Sequence, residues 1–189
     1  MLEYFWVIIV KIALLIIDML EEFVHGKLSS PESRKIIPVI KELIKVAREN
    51  KIPIIYLADK HFHFDHELKI WGPHAMAESP ESEIIDELKP EDKDIVLYKR
   101  SYSGFRETGL DYILRDLNID TLVLTGIHTH ICVFHTAIDA YYARYDVIIV
   151  EDGVSALSNE DHEWALKYMK EILGCKVMKA NEVQKLLEK

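Results

Sequence analysis

Only two cysteines, Cys132 and Cys175, occur in 189 residues. That scarcity excludes a disulfide-stapled scaffold and any paired-cysteine metal motif, and it suits a reducing compartment. Basic residues are also in deficit: 23 Lys and Arg stand against 32 Asp and Glu, a formal net charge of −9, with no basic cluster to offset it. Such a chain repels polyanions, so nucleic acid is not an expected partner. No apolar run reaches the ~20 residues that span a bilayer. The longest, Tyr4 to Ile17, is interrupted by Lys11 and stopped by Asp18, and it has neither the basic n-region nor the small-residue cleavage site of a signal peptide. Repeats, low-complexity tracts and linkers are absent from the sequence as well. What is there, 49% apolar and 29% charged residues, suffices for one cored domain over residues 1–189, with no membrane role and a cytoplasmic address expected.

The hydrophobic period alternates between short continuous runs and helical stripes. Ile12 to Ile17, Ile52 to Leu57, Asp94 to Tyr98, Thr121 to Leu124, Val147 to Val150 and Cys175 to Met178 have the length of strands, and the central ones read as buried on both faces. Between them lie amphipathic helices. One spans Pro31 to Asn50, with Ile36, Ile40, Leu43, Ile44 and Ala47 on one face despite Pro38. Further stripes run through Leu110 to Leu117, Val133 to Tyr141 and Trp164 to Ile172, and a last helix covers Asn181 to Leu187. This alternation predicts an α/β three-layer sandwich: a central, mainly parallel six-stranded sheet with helices on both faces. Tyr4 to Val10 reads as an apolar lead-in, and Ala58 to Pro80, rich in histidine, as a functional loop.

Ligands of open parallel sheets bind beyond the carboxyl ends of the strands. The residues there are Asp18, then Asp59-Lys60-His61, Lys99, Gly126 through Cys132, and Glu151-Asp152. Cys132 falls where a strand turns into a helix expected over Ile131 to Tyr145, a position whose free amides favour a thiolate. With Asp18 as proton acceptor and Lys99 as compensating cation, it forms a trio suited to attack on an acyl carbon. Cys175 reads as buried filler. A second constellation, Asp59, His61, Glu67 and His74, supplies the carboxylate and imidazole donors that a divalent ion such as Zn²⁺, Fe²⁺ or Mn²⁺ takes, with His63 or His66 as alternatives to Glu67.

These segments resemble one family. Leu14-Leu15-Ile16-Ile17-Asp18-Met19 followed by Phe23, Asp59-x-His61, Trp71-Gly72-Pro73-His74, Lys99 through Phe105, and Thr125-Gly126-Ile127 with Cys132-Val133, Thr136-Ala137 and Asp139-Ala140 are similar to the isochorismatase-like cysteine hydrolases. Within that superfamily, His135 to Tyr141 and His162 to Leu166 look most like a nicotinamidase. The resemblance implies a metal-dependent amidohydrolase that converts nicotinamide to nicotinate and ammonia. Its triad would be Asp18, Lys99 and Cys132, its metal ligands Asp59, His61, Glu67 and His74, and its substrate pocket Phe23, Trp71 and Tyr102. It also implies a cis peptide at Ile127-His128, an oxyanion hole made by the backbone amides of His128 and Cys132, a small amide as substrate, and a homo-oligomer. Tyr141 to Tyr145 and the apolar lead-in are the candidate subunit contacts. The chain departs from the pattern at His128, where relatives often carry a small residue, at His130, where an acid is frequent, and at Glu78-Ser79-Pro80-Glu81, where Gly-Thr-x-Gly is usual. The last departure bears on substrate choice and leaves open a relative acting on another small amide or a vinyl ether. A phospho-acceptor receiver module is the rival from a different class. It is disfavoured because Met19, and not an acid, follows Asp18, and because such a module has no use for Cys132.

Overall fold

The computed structural model describes residues 11–188. The expected lead-in, Tyr4 to Val10, lies outside them. Six strands, β1 (Ile12–Ile17), β2 (Ile54–Asp59), β3 (Ile95–Lys99), β4 (Thr121–Ile127), β5 (Asp146–Ser155) and β6 (Lys176–Met178), form one sheet in the order β3-β2-β1-β4-β5-β6. Every pairing is parallel, as βαβ crossovers require.

Side chains alternate across β1 and so divide the apolar residues between two cores. Leu14 and Ile16 face one core with Ile40, Leu43 and Ala47 of α3 (Ile37–Glu49) and Val183 and Leu187 of α8 (Ala180–Leu187). Ala13, Leu15 and Ile17 face the other, covered by α5 (Leu110–Asp116), α6 (Phe134–Tyr142) and α7 (Asn159–Glu171). The result is the expected three-layer sandwich. Among the described residues, no helix is long and apolar enough to cross a membrane.

Several boundaries differ from the sequence reading, each for a physical reason. The long helix from Pro31 divides at Ile36 into α2 (Pro31–Lys35) and α3. Pro38 has no N–H to continue the ladder and sits instead in the first turn of α3, where none is needed. Strands β2, β3, β4 and β5 run past the expected ends at Leu57, Tyr98, Leu124 and Val150 to Asp59, Lys99, Ile127 and Ser155, because ladder hydrogen bonds are made by the backbone whatever the side chain. Glu151 and Asp152 therefore lie within β5, at an irregularity where Gly126 pairs Val154 two residues after Leu124 pairs Ile149. They serve the fold: Glu151 pairs Lys179 at 3.1 Å, and Asp152 accepts the Ala180 amide at 2.8 Å. The loop after β2 contains the short helix α4 (Leu68–Trp71) and a bridge between His61 and Met76.

The strand order reverses direction between β1 and β4, and a crevice opens at such a switch point. Asp18 leaves β1 there, and the chain from β4 to Cys132 leaves beside it. Gly126 makes that approach possible: with φ at 109°, a Cβ on it would lie 2.0 Å from the Ile17 carbonyl oxygen.

Candidate active site

Three strand ends deliver Asp18, Lys99 and Cys132 into one buried cluster. Asp18 follows β1 with φ at 51°, a left-handed conformation that Asp tolerates better than most residues. Its amide donates to the Leu57 carbonyl at 2.8 Å, and its Oδ1 accepts the Asp59 amide at 2.9 Å. Lys99 ends β3 directly across from Asp59 in the β2–β3 register. Its Nζ lies 2.5 Å from Asp59 Oδ1, 2.8 Å from Asp18 Oδ2 and 3.5 Å from Cys132 Sγ, and it donates to the Ser101 carbonyl at 3.2 Å. The contact with Asp18 Oδ2 is an ion pair without hydrogen-bond alignment, so that oxygen retains accepting capacity. Asp18, Asp59 and Cys132 offer atoms all within 4.8 Å of one another.

Charge and burial set the protonation of this cluster. Burial and then the neighbouring Asp59 raise the Asp18 carboxyl to about 6, against the pull of Lys99. Burial works against the Lys99 ammonium, but Asp18 and Asp59 outweigh it and hold the group charged. Burial also pushes the Cys132 thiol well above its ordinary range, although Lys99 pulls the other way. This corrects the expectation that helix-end amides favour a resting thiolate. Cys132 sits inside a wide, π-type turn, Thr129–Val133, ahead of α6, and its desolvation outweighs any dipole. That upward shift favours the protonated thiol, and Asp18 is the carboxylate beside it. The Ile127-His128 peptide is cis, as the resemblance implied, and the amides of Ile131 and Val133 both donate to the His128 carbonyl.

Beside this cluster, Asp59, His61, Glu67 and His74 are all buried and present one ligand atom each, all within 4.8 Å of one another. Backbone bonds align the two histidines: the His61 amide donates to the Ala75 carbonyl at 2.9 Å and the Ala77 amide to the His61 carbonyl at 2.8 Å. The tautomers follow from the acceptors. His74 Nδ1 lies 2.8 Å from the Gly72 carbonyl and His61 Nδ1 lies 3.1 Å from Asp65 Oδ2; neither oxygen can donate, so each Nδ1 carries the proton. Each Nε2 is then left with its lone pair. His61 Nε2 is buried with no hydrogen-bond partner, 3.6 Å from Asp59 Oδ2 and 3.9 Å from Glu67 Oε2. Burial and then Asp59 raise the Glu67 carboxyl to about 7. An orphaned imidazole nitrogen among carboxylates fits a divalent cation, with the donor types of a Zn²⁺, Fe²⁺ or Mn²⁺ site. His63 and His66, the alternatives to Glu67, are exposed.

Both clusters adjoin one cleft, about 340 Å³ of open space that includes the solvent at its mouth. Phe23, Trp71, Tyr102, His128 and Cys132 line it together with Asp59, Glu67 and His74. Trp71 Nε1 donates to the Tyr102 hydroxyl at 3.0 Å. Phe23 meets the His74 and His128 rings edge-on at 6.0 and 5.8 Å. Burial, then His130, lowers the His128 ring to about 3, so it is neutral.

A family model described as the isochorismatase domain matches residues 12–182. The chain belongs to the isochorismatase family. It is 35% identical over 173 residues to an uncharacterized isochorismatase family protein, YaaI, of Bacillus subtilis, covering 90% of this chain and 95% of that one. Among solved structures it is similar to N-carbamoylsarcosine amidase from Thermoplasma acidophilum, at 42% identity and a TM-score of 0.86, covering 90% of this chain and 97% of that one. It is also similar to the pyrazinamidase of Pyrococcus horikoshii in complex with zinc, at 30% identity and a TM-score of 0.82, covering 89% and 99%.

This isochorismatase-family chain also uses residues that the sequence reading passed over. Leu28, Ile131 and Leu157 complete the cleft wall; nothing distinguishes them in sequence from core residues. Asp65 sits among the histidines and accepts from His61, from the Phe62 amide at 2.9 Å and from Arg100. Arg100 holds its carboxyl down at about 2. An acid four residues after a candidate ligand histidine was the available signal.

Proposed function

We propose that the chain is a metal-dependent cysteine amidohydrolase that converts nicotinamide to nicotinate and ammonia. One observation carries the reading. A buried thiol with an acid and an ammonium at its side shares an aromatic-lined cleft with His74, Asp59 and Glu67, and His61 lies buried against them.

The geometry supports the following roles. Asp18 accepts the thiol proton of Cys132, and the sulfur attacks the carboxamide carbon. The charge that develops on the carbonyl oxygen would be met by the backbone amides of His128 and Cys132. As the tetrahedral species collapses, Asp18 passes its proton to the departing nitrogen, and ammonia leaves behind a thioester. Asp18, again a base, then deprotonates a water that attacks the thioester carbon; nicotinate departs and Cys132 regains its proton. Lys99 remains charged throughout and balances whichever of Asp18 and Cys132 is anionic. Phe23, Trp71 and Tyr102 supply flat apolar surface for a pyridine ring. Asp59, His61, Glu67 and His74 would hold a Zn²⁺, Fe²⁺ or Mn²⁺ ion, which when bound supplies a Lewis acid for a ring nitrogen or a water.

A second reading, hydrolysis of an open-chain carbamoyl amide, is favoured by the 42% identity to N-carbamoylsarcosine amidase. An acidic vinyl ether is disfavoured, since no arginine is among the described residues that line the cleft. The deciding experiment measures ammonia release from nicotinamide, pyrazinamide and N-carbamoylsarcosine, with and without chelator. Nicotinamide turnover that is lost on chelation is the expected result. Faster release from the carbamoyl compound would transfer the assignment to the second reading.

A further inference from the structure

We propose that Asp65 and Arg100 are positioning residues of the metal centre: Asp65 fixes the tautomer of His61 so that its Nε2 lone pair faces the other ligands, and Arg100 holds Asp65. The inference rests on the reading of Asp59, His61, Glu67 and His74 as metal ligands and adds what makes one of them competent.

The Asp65 side chain is 2% exposed, and a buried carboxylate is retained only where partners satisfy it. Both its oxygens are engaged. Oδ2 accepts the Phe62 amide at 2.9 Å and lies 3.1 Å from His61 Nδ1; Oδ1 accepts from Arg100 Nε at 3.1 Å and from Arg100 Nη2. The forked guanidinium keeps the carboxylate ionised, and an ionised carboxylate only accepts. In the neutral ring His61 Nδ1 must therefore be the donor, and the metal-facing nitrogen keeps its lone pair. Without Asp65 the ring is free to protonate Nε2 and donate to Asp59 or Glu67, 3.6 and 3.9 Å away, which would block ligation.

Arg100 adds a mechanical constraint. It directly follows Lys99 at the end of β3, and its guanidinium lies over the Phe62 and Phe64 rings, 5.4 and 5.3 Å from their centroids. The loop that bears His61 is thus clamped to the strand end that bears Lys99. Outer-sphere carboxylates of this kind raise ligand basicity and orient the ring.

The test is Zn²⁺ affinity by calorimetry on chelator-treated protein, wild type beside Asp65→Asn and Arg100→Gln. It is joined by ¹⁵N NMR of the His61 ring in the metal-free protein at a pH where the ring is neutral. Asp65→Asn is expected to weaken Zn²⁺ binding about 10- to 100-fold, Arg100→Gln by less, and wild-type His61 is expected as the Nδ1–H tautomer. A merely structural role would lower thermal stability without moving the tautomer. Two results overturn the proposal: an Nε2–H ring in the wild type, which needs no variant to fold, or a folded Asp65→Asn protein with wild-type affinity and tautomer. If wild type binds no Zn²⁺, the metal reading falls and this inference with it. If Zn²⁺ binds and Asp65→Asn weakens it while no amide is hydrolysed, the inference stands and only the nicotinamidase reading is lost.

Discussion

The two halves of the cleft are built by different means. Asp18, Lys99 and Cys132 hang from three strand ends or the turns just beyond them, and the parallel sheet brings them together as a consequence of its register. His61, Glu67 and His74 stand on a single stretch after β2, and it is hydrogen bonds within that stretch, together with the reach of Asp65 and Arg100, that align them. Asp59 belongs to both, with Oδ1 on Lys99 and Oδ2 toward His61. Breaking the paired charges of the sheet half costs global stability, whereas the loop half should yield to local changes that leave the fold standing.

The sharpest test of this contrast is Cys132→Ala. Turnover should fall on the order of 10⁴-fold or more, with Zn²⁺ content and thermal unfolding unchanged; surviving ammonia release would remove the thiol from the chemistry. Lys99→Met should damage the fold as well as the reaction. It leaves two buried carboxylates without their cation, a loss of about 3–5 kcal/mol in a urea titration, and a variant of wild-type stability would show that the sheet half is no more coupled to the fold than the loop half. His74→Ala should reverse that pattern, weakening Zn²⁺ by at least about 100-fold with little change in unfolding. The pH profile provides a smaller effect. Because Asp18 must be ionised to accept the thiol proton, kcat/KM should decline as pH falls through about 6, and a limb in the ordinary carboxylate range would deny that Asp18 is buried beside Asp59 in the working enzyme. The smallest change is expected from His63→Ala and His66→Ala, whose exposed rings should alter Zn²⁺ affinity by less than about twofold.

The same division governs what was legible in the sequence. Strands β1, β2 and β4 were visible as apolar runs because burial on both faces leaves a continuous signature, and Asp18, Lys99 and Cys132 were recognisable as polar residues at or beyond the ends of apolar runs. The last residues of β2 and β3 were not visible as strand, since Asp59 and Lys99 look like loop to any hydrophobic pattern. In the histidine-rich stretch, periodicity carries no information. The donor types were clear, but the choice of Glu67 over His63 and His66, and the service of Asp65 to His61, depend on which way each side chain points once α4 and the His61–Met76 bridge are formed.

The protonation of the nucleophile was read the wrong way for a related reason. Sequence places Cys132 near a helix start, and a helix start favours a thiolate. The structure buries it against two carboxylates, and desolvation wins. Burial depth arises from chain segments 18, 59 and 99 residues into the sequence closing over one atom, and no local window contains them.

The linear order of residues determined by itself the α/β class, the parallel sheet and the chemical types gathered at its carboxyl edge, because propensity and hydrophobic period act over a few neighbours. Only the tertiary structure decided that Asp59 sits opposite Lys99, that one carboxylate serves both the ammonium and the histidine cluster, and that the thiol is buried. Those outcomes depend on strand register, where a slip of one residue sends every side chain to the other face, and register is set by the whole sheet at once.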